Sequence, residues 1–326
     1  MKKLLALTLS LLMIVSLFAA CRNEGTPEKI RIYTLNGTTG FGMAKLMNDQ
    51  TDDSIYDIAV KTDASDVTAA LINGDVDIAA LPTNAAANVF NKTNGGVKIL
   101  AVNTLGCLYL LTKDGTTVSS FADLEGKTVY APAQNPTFIF TDLCKKNDLT
   151  PGTDITIDST SYAQPASLRD AVASGAVDIA VLPEPMVTIA VSTAKQNNIN
   201  ITTALDLTAE WNKVNPEGSL VQGCVVVRTE FLEAYPTAVA DFLKDYEASI
   251  DYLLENPDDG CAMIEANGIF AKAAIAKKAL PNCNICYLDG ADMKAAMEVY
   301  LAALAGINVN SIGGKLPTED FYYVAK

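Results

Sequence analysis

Along most of the chain, short apolar runs alternate with stretches of helical spacing. A stretch of helical spacing, Val67–Asn73, ends at Gly74, and glycine readily takes the left-handed conformation that closes a helix. The run Ile78–Leu81 that follows is apolar throughout, which is typical of a strand buried on both faces. Pro82 then ends the strand, because proline has no N–H to donate to a neighbouring strand. The pattern predicts a helix, a tight turn and a buried strand.

The same order of residues recurs about one hundred positions later. Three residues of the first copy, Gly74, Asp77 and Pro82, align at one constant offset with Gly175, Asp178 and Pro183. A second pair of segments supports this duplication, since Lys29–Leu35 and Lys127–Ala131 each lead into a polar loop and a helix. Such alternation predicts an α/β fold, with a mostly parallel sheet in each half. We expect two Rossmann-like lobes joined by a two-strand hinge.

The predicted boundaries give lobe 1 residues 29–114 and 221–326, and lobe 2 residues 115–220. Gly106-Cys107 and Gly223-Cys224 head two similar apolar strands, which we expect to pair with each other near the lobe junction. That pairing would make a disulfide between Cys107 and Cys224 feasible. The helices predicted after Thr229 are expected to pack on lobe 1.

The first 20 residues have the layout of a signal peptide. Lys2 and Lys3 precede the apolar run Leu4–Phe18, which is too short to span a bilayer comfortably. Leu17–Cys21 resembles a bacterial lipobox, so Cys21 is expected to be acylated and to anchor the exported protein at the outer face of the cell membrane. Ordinary secretory cleavage is the alternative. Residues 21–28 are expected to form a tether, and no later segment is expected to cross a membrane.

Composition excludes several kinds of chemistry. The chain has no histidine, which rules out Ser-His-Asp and Cys-His hydrolysis as well as histidine-based zinc sites. Its net charge of −14 disfavours nucleic acid as a partner. The Cys-x-x-Cys pair formed by Cys283 and Cys286 lacks two further ligands at suitable spacing for zinc. No metal or other cofactor is expected.

Ligands of open α/β sheets bind beyond the carboxyl ends of the strands. Four polar loops of this chain occupy that position, and we expect them to face one another across a cleft. The candidate ligand-binding residues in these loops are Asn36, Gly37, Thr38, Thr39, Thr83, Asn84, Gln134, Asn135, Thr137 and Glu184. Short hydroxyl and amide side chains at such positions also serve as helix caps, which is the structural alternative.

Three features narrow the expected ligand. Residues 36–39 precede a helix, whose free N–H groups favour an acceptor-rich end of the ligand. Glu184 favours a cationic or donor-rich end, unless it merely sits in a first helical turn. Tyr162 is the best-placed aromatic residue for stacking, whereas Trp211 is expected to pack its own loop on lobe 2. We expect a small zwitterion, a sulfonate or a pyrimidine-like heterocycle.

Several motifs together resemble the substrate-binding proteins of ABC importers of the aliphatic-sulfonate, nitrate and taurine type, a group that includes binders of thiamine pyrimidine precursors. They are Leu35–Gly40, Asn73–Ala79, Phe121–Lys127, Leu182–Pro185 and Val226–Phe231. The resemblance implies the type 2 periplasmic-binding-protein fold, a ligand in the cleft, delivery to an ABC permease and ATPase complex, and no catalysis. We expect a monomer.

Two other classes of protein stay open. A ligand-sensing lipoprotein would use the same two-lobed clamp without a permease. A carboxylate-dependent enzyme would use Asp77 and Asp178 as its acids, although we interpret both as hydrogen-bonding the helix–strand turn of each repeat. One branch of the resembling group makes a pyrimidine from a histidine of its own chain, and that residue is absent here.

Overall fold

A computed structural model describes residues 25–216 and 218–324. The predicted signal peptide and Cys21 lie outside the described residues. The described chain forms two α/β lobes, each built on one mixed sheet with helices packed on it. The predicted fold class is confirmed.

The first sheet has six strands in the order β11-β4-β10-β3-β1-β2. Strands β1, β2 and β3 are parallel, whereas β10 runs antiparallel to both β3 and β4, and β11 antiparallel to β4. We call the part of the molecule around this sheet the first lobe. Its strands are β1 Ile30–Leu35, β2 Tyr56–Lys61, β3 Ile78–Pro82, β4 Val97–Leu105, β10 Val221–Arg228 and β11 Ile285–Asp289.

The second sheet has five strands in the order β7-β6-β8-β5-β9. Strands β6, β7 and β8 are parallel, and β5 runs antiparallel to both β8 and β9. This sheet defines the second lobe. Its strands are β5 Leu108–Lys113, β6 Thr128–Tyr130, β7 Thr156–Asp158, β8 Ile179–Pro183 and β9 Ile201–Asp206.

Helices connect most of these strands, and the repeat predicted from the sequence is visible in their ends. Helix α3 stops at Gly74 with φ 78°, and helix α6 stops just before Gly175 with φ 69°. A buried strand follows in each lobe. The helices are α1 Thr38–Phe41, α2 Ala44–Asn48, α3 Ala64–Asn73, α4 Thr83–Lys92, α5 Asn135–Lys146, α6 Pro165–Ala173, α7 Met186–Gln196, α8 Leu207–Val214, α9 Thr229–Ala234, α10 Pro236–Glu255, α11 Pro257–Ala266, α12 Ala273–Ala279 and α13 Gly290–Asn308.

The expected pairing of β5 with β10 is wrong. Strand β10 lies between β3 and β4 in the first sheet, and β5 lies between β8 and β9 in the second. Each strand is buried on both faces and so takes a central place in its own sheet, with no edge left for the other. The chain therefore leaves the first lobe at Gly106-Cys107, before β5. Cys107 and Cys224 are both free buried thiols.

The expectation that no later segment could span a membrane also needs correction. Among the described residues, Gly290–Ile312 has the length and mean hydropathy, 1.3, of a membrane span. Helix α13, which makes up most of it, buries one face in the protein core through Met293, Met297, Tyr300 and Leu301. Its apolar character is accounted for by this packing.

The C-terminal helices pack on the first lobe, as expected, and helix α13 also joins the two lobes. It packs on α5 of the second lobe, and its Tyr300 ring lies 6.0 Å from the ring of Trp211 in α8. Trp211 is fully buried at this junction, where its ring contacts Tyr300 of the first lobe and also the ammonium group of Lys146 in α5 of its own lobe, 5.3 Å from the ring centroid. As a result, one hydrophobic core continues from the first lobe into the second.

Candidate ligand-binding cleft

The carboxyl ends of the parallel strands of both lobes are the edges at which a ligand is expected. In the first lobe, residues 36–39 connect β1 to α1. Gly37 has φ 87°, a conformation that favours glycine, and its N–H donates to the carbonyl of Ile269 at 3.0 Å. The helix that follows has only four residues. The loop therefore offers exposed Asn36 and the partly exposed hydroxyls of Thr38 and Thr39, with less help from a helix dipole than the sequence suggested.

The two candidate residues after β3 behave differently. Thr83 is fully buried, and its hydroxyl donates to the carbonyl of Val221 at 2.9 Å within the first lobe. Asn84 is partly exposed, and its Oδ1 accepts a hydrogen bond of 2.8 Å from Nδ2 of Asn135 in the second lobe. Asn84 and Asn135 thus connect the two lobes, whereas Thr83 is bonded to the start of β10, the strand on which the chain returns to the first lobe.

The other two candidates beside Asn135 lie at the start of α5. Gln134 is exposed and holds the unusual φ of 68°. The Thr137 hydroxyl donates to the carbonyl of Pro132 at 2.7 Å, so it fixes the loop before the helix. Gln134 and Asn84 line one pocket of about 330 Å³ together with Phe138, at the flank where the lobes meet.

Tyr162 lies in the loop after β7 and is partly exposed. Its ring packs edge-on against Tyr130, at the end of β6, with 5.7 Å between the ring centroids. Both rings are therefore held at the carboxyl edge of the second sheet, where a flat part of a ligand could contact them.

Glu184 is only 3% exposed. Its two carboxylate oxygens accept hydrogen bonds from the Thr188 backbone N–H at 3.1 Å and the Thr188 hydroxyl at 3.0 Å. Burial raises the pKa of Glu184, and the bonds from Thr188 and the Asn282 side chain counter that rise. The carboxylate is therefore already satisfied by protein groups, and it does not need a cationic ligand.

The first crossing of the chain between the lobes, at Gly106-Cys107, is hydrogen-bonded to Glu184. The carbonyl of Cys107 accepts from the Glu184 N–H at 2.9 Å, and the Cys107 N–H donates to Oε1 of Gln222 on the returning strand at 2.6 Å. The Cys107 thiol interacts with the Thr38 side chain, and burial raises its pKa to about 12. Residues from both lobes and both crossings thus meet at this point.

Asp77 and Asp178 lie away from this region, because each precedes a strand whose carboxyl end forms the cleft. Asp77 accepts from the Arg31 backbone N–H and from its guanidinium. Asp178 forms an ion pair of 2.5 Å with Lys113. The expected bonds to the helix–strand turn are wrong in detail, but both aspartates do serve the fold.

Sequence reasoning missed the residues that precede β11. The Asn282 carbonyl accepts from the Tyr109 hydroxyl at 3.0 Å, and Lys278 Nζ lies 3.1 Å from the Ser192 hydroxyl. Strand β11 is antiparallel to β4, so its amino end lies at the edge where the parallel strands end. The polar residues around Cys283 were visible in the sequence, but the direction of the strand was not.

This architecture, with two α/β lobes, two crossings and opposed strand ends, is that of the type 2 periplasmic-binding proteins. Residues 42–273 match the family model described as "ABC transporter, phosphonate, periplasmic substrate-binding protein". The chain belongs to this family, whose members are substrate-binding components of transporters. The resemblance inferred from the sequence motifs is confirmed.

Solved structures show the same fold. An ABC transporter structure from Parabacteroides distasonis is 23% identical, with a TM-score of 0.76, and the match covers 92% of this chain and 100% of that one. The aliphatic sulphonate binding protein SsuA from Escherichia coli is 15% identical, with a TM-score of 0.70 and coverage of 91% and 96%. SsuA from Xanthomonas axonopodis pv. citri, bound to MOPS, is 14% identical, with a TM-score of 0.60 and coverage of 90% and 96%. None of the curated proteins matches this chain in sequence.

Proposed function

We propose that this protein is the solute receptor of an ABC importer, held at the outer face of the cell membrane by a lipid on Cys21. It binds a small polar molecule between its lobes and passes it to a permease and ATPase complex. The observation that carries this proposal is the opposition of the two strand edges, bridged by the 2.8 Å bond between Asn84 and Asn135. Contacts between lobes of this kind form and break when a clamp closes and opens.

The ligand that fits best carries an oxyanion such as a phosphonate or sulfonate. Residues 36–39 supply the exposed Asn36 amide and the hydroxyl of partly exposed Thr39, which can donate to such oxygens without a charged partner. The family description and the sulphonate-binding neighbours point the same way. Glu184 gives no support for a cationic end of the ligand, because its oxygens are occupied. A polar heterocycle is the second candidate, favoured by the paired rings of Tyr130 and Tyr162.

Ligand binding can be tested by thermal shift and calorimetry on the soluble part of the chain. The probes are methylphosphonate, ethanesulfonate, taurine, nitrate, a set of amino acids and an aminopyrimidine. A ligand present at 100 times its Kd stabilises the folded protein by about 2.7 kcal/mol, which is readily detected. We expect stabilisation by an oxyanion. Stabilisation by the aminopyrimidine alone would favour the second candidate, and no response to any probe would contradict the receptor proposal.

The same measurement can place the ligand. Asn135→Ala removes a bridge between the lobes and is expected to weaken binding. Asn256→Ala is the matched control, because the Asn256 amide donates to the Tyr252 carbonyl within the first lobe. Equal affinity in the two variants would place the ligand elsewhere.

The anchor needs its own experiment. Cys21→Ser should release the protein from membranes and move it from the detergent phase to the aqueous phase in a phase-separation assay. A wild-type protein that is efficiently cleaved and partitions into the aqueous phase would contradict the anchor.

A further inference from the structure

Residues 278–284, which we call the latch segment, connect α12 to β11 in the first lobe and touch the second lobe at several points. At one end, Lys278 Nζ lies 3.1 Å from the Ser192 hydroxyl of α7. The same ammonium group is close enough to Glu184 to lower the pKa of that carboxyl. Helices α12 and α7 also pack against each other here.

Asn282 makes two contacts with the second lobe. Its backbone carbonyl accepts from the Tyr109 hydroxyl at 3.0 Å, and its side chain is close enough to the Glu184 carboxylate to lower the pKa of that group. Tyr109 lies on β5 and Glu184 directly follows β8, two strands that pair with each other. Asn282 itself is exposed, although both of its partners are buried. One exposed residue of the first lobe is thus bound to two buried residues of the second.

The other end of the latch segment is tied to the crossing between the lobes. Asn284 holds φ 49°, its amide donates to the Gly106 carbonyl, and its carbonyl accepts from the Leu105 N–H at 3.0 Å. Gly106 begins the first crossing, whose Cys107 is bonded to both Glu184 and Gln222. The latch segment therefore has a fixed end at the hinge, from which Asn282 and Lys278 reach across to the second lobe.

These contacts differ from the remaining bonds of Glu184. Thr188 belongs to the same lobe as Glu184, so its two hydrogen bonds persist whichever way the lobes are arranged. The contacts of Asn282 and Lys278 join residues of different lobes, so they are the ones that a change in the arrangement of the lobes can break. Breaking them leaves Glu184 with its local partners and costs only the interactions between lobes.

We propose that the latch segment stabilises the closed arrangement of the lobes, chiefly through the bonds from the Tyr109 hydroxyl to the Asn282 carbonyl and from Lys278 to the Ser192 hydroxyl, with the Asn282 side chain as a positioning group beside Glu184. In this proposal, Glu184 helps to stabilise the closed arrangement of the lobes and does not contact the ligand. The importance of closure for ligand binding rests on the proposed function, but closure itself can be measured without any ligand.

The test compares five variants of the mature chain by small-angle X-ray scattering without ligand. Asn282→Ala and Tyr109→Phe each remove one contact between the lobes. Asn256→Ala and Tyr56→Phe are matched controls, since Asn256 bonds to Tyr252 and Tyr56 to Asp245 inside the first lobe. We expect the first two variants to have a larger radius of gyration and the controls to match the wild type. Asn282→Gln, which keeps the amide, should recover part of the compaction.

A second arm uses methylphosphonate as the probe. Losing one net hydrogen bond from the closed state should weaken binding by about fivefold, and most of that change should appear in the dissociation rate. Thermal midpoints identify any variant that is merely misfolded, and Asn282, being exposed, is the safer of the two changes. An unchanged radius of gyration in a folded Tyr109→Phe, which loses the donor to the Asn282 carbonyl, would overturn the latch, whether or not the probe binds. A latch effect on shape without binding of the probe would instead count against the oxyanion ligand class.

Discussion

The two halves of the repeat have the same order of helix, turn and strand, but equivalent side chains make different contacts. At one position of the repeat, Asp77 is buried and makes three hydrogen bonds with Arg31, whereas Asp178 has a side chain that is 64% exposed and pairs with Lys113. The partners come from different strands. In the first lobe Arg31 lies on parallel β1, and in the second Lys113 lies on antiparallel β5.

The same divergence appears at the carboxyl ends of the repeated strands. Pro82 is followed by Thr83, which is buried within its own lobe, and Pro183 is followed by Glu184, which connects to the other lobe. The repeat therefore specifies a helix, a turn and a strand in both lobes. The elements that pack beside that strand differ between the lobes, and they decide whether an equivalent position lies in the core or at the cleft.

The largest expected difference between the lobes is at the paired aspartates. Asp77→Ala leaves a guanidinium and a backbone N–H without their acceptor, and it should lower the free energy of unfolding by about 3 kcal/mol. Asp178→Ala breaks an exposed ion pair and should cost less than about 1 kcal/mol. Urea denaturation of both variants measures the difference. Equal losses would show that the two positions are equivalent after all.

The glycines should behave more alike. Gly74→Ala and Gly175→Ala each force a positive φ on a residue with a Cβ, at a cost of about 1–2 kcal/mol. The two losses should be similar, because the Cβ at Gly74 would meet Nη1 at the movable end of Arg228 and the Cβ at Gly175 would lie 3.2 Å from Ile199. Gly306→Ala in helix α13 is the control, because a Cβ there meets nothing within 4 Å. A larger thermal destabilisation in Gly306→Ala than in either variant would refute this explanation.

Thr83→Val tests whether the first-lobe position is structural. The change keeps the shape but leaves the buried Val221 carbonyl without its donor, so the free energy of unfolding should fall by about 1 kcal/mol. Thr83→Ser should restore most of it. A larger effect on ligand affinity than on stability would show that Thr83 belongs to the binding site.

The smallest effect is expected at Glu184 and depends on pH. Burial raises its pKa, so the stability linked to its protonated form is present below its unfolded pKa, about 4.3, and is lost as the pH rises through the higher folded value. Glu184→Gln removes this titration. Relative to that variant, the wild type should therefore lose stability as the pH rises above about 4. Parallel stability curves for the two proteins would contradict the expected direction of the change.

Much of the fold was accessible from local pattern. Gly74 and Gly175 mark helix ends, Pro82 and Pro183 mark strand ends, and the order of elements predicts two α/β lobes, because each of these signals acts within a few residues. The strands that pair with β10 could not be predicted from the sequence, since an apolar strand suits any central place in a sheet. The structure puts it between β3 and β4.

The cleft shows the same division. Element order alone predicts which loops follow the parallel strands, and the lack of histidine in the chain excludes histidine chemistry. The packing of distant segments, in contrast, turns Thr83 inward onto the Val221 carbonyl and brings Asn282, before β11, to the Tyr109 hydroxyl of the other lobe. Those outcomes depend on strand direction and on contacts between residues 138 and 173 positions apart, which no local pattern encodes.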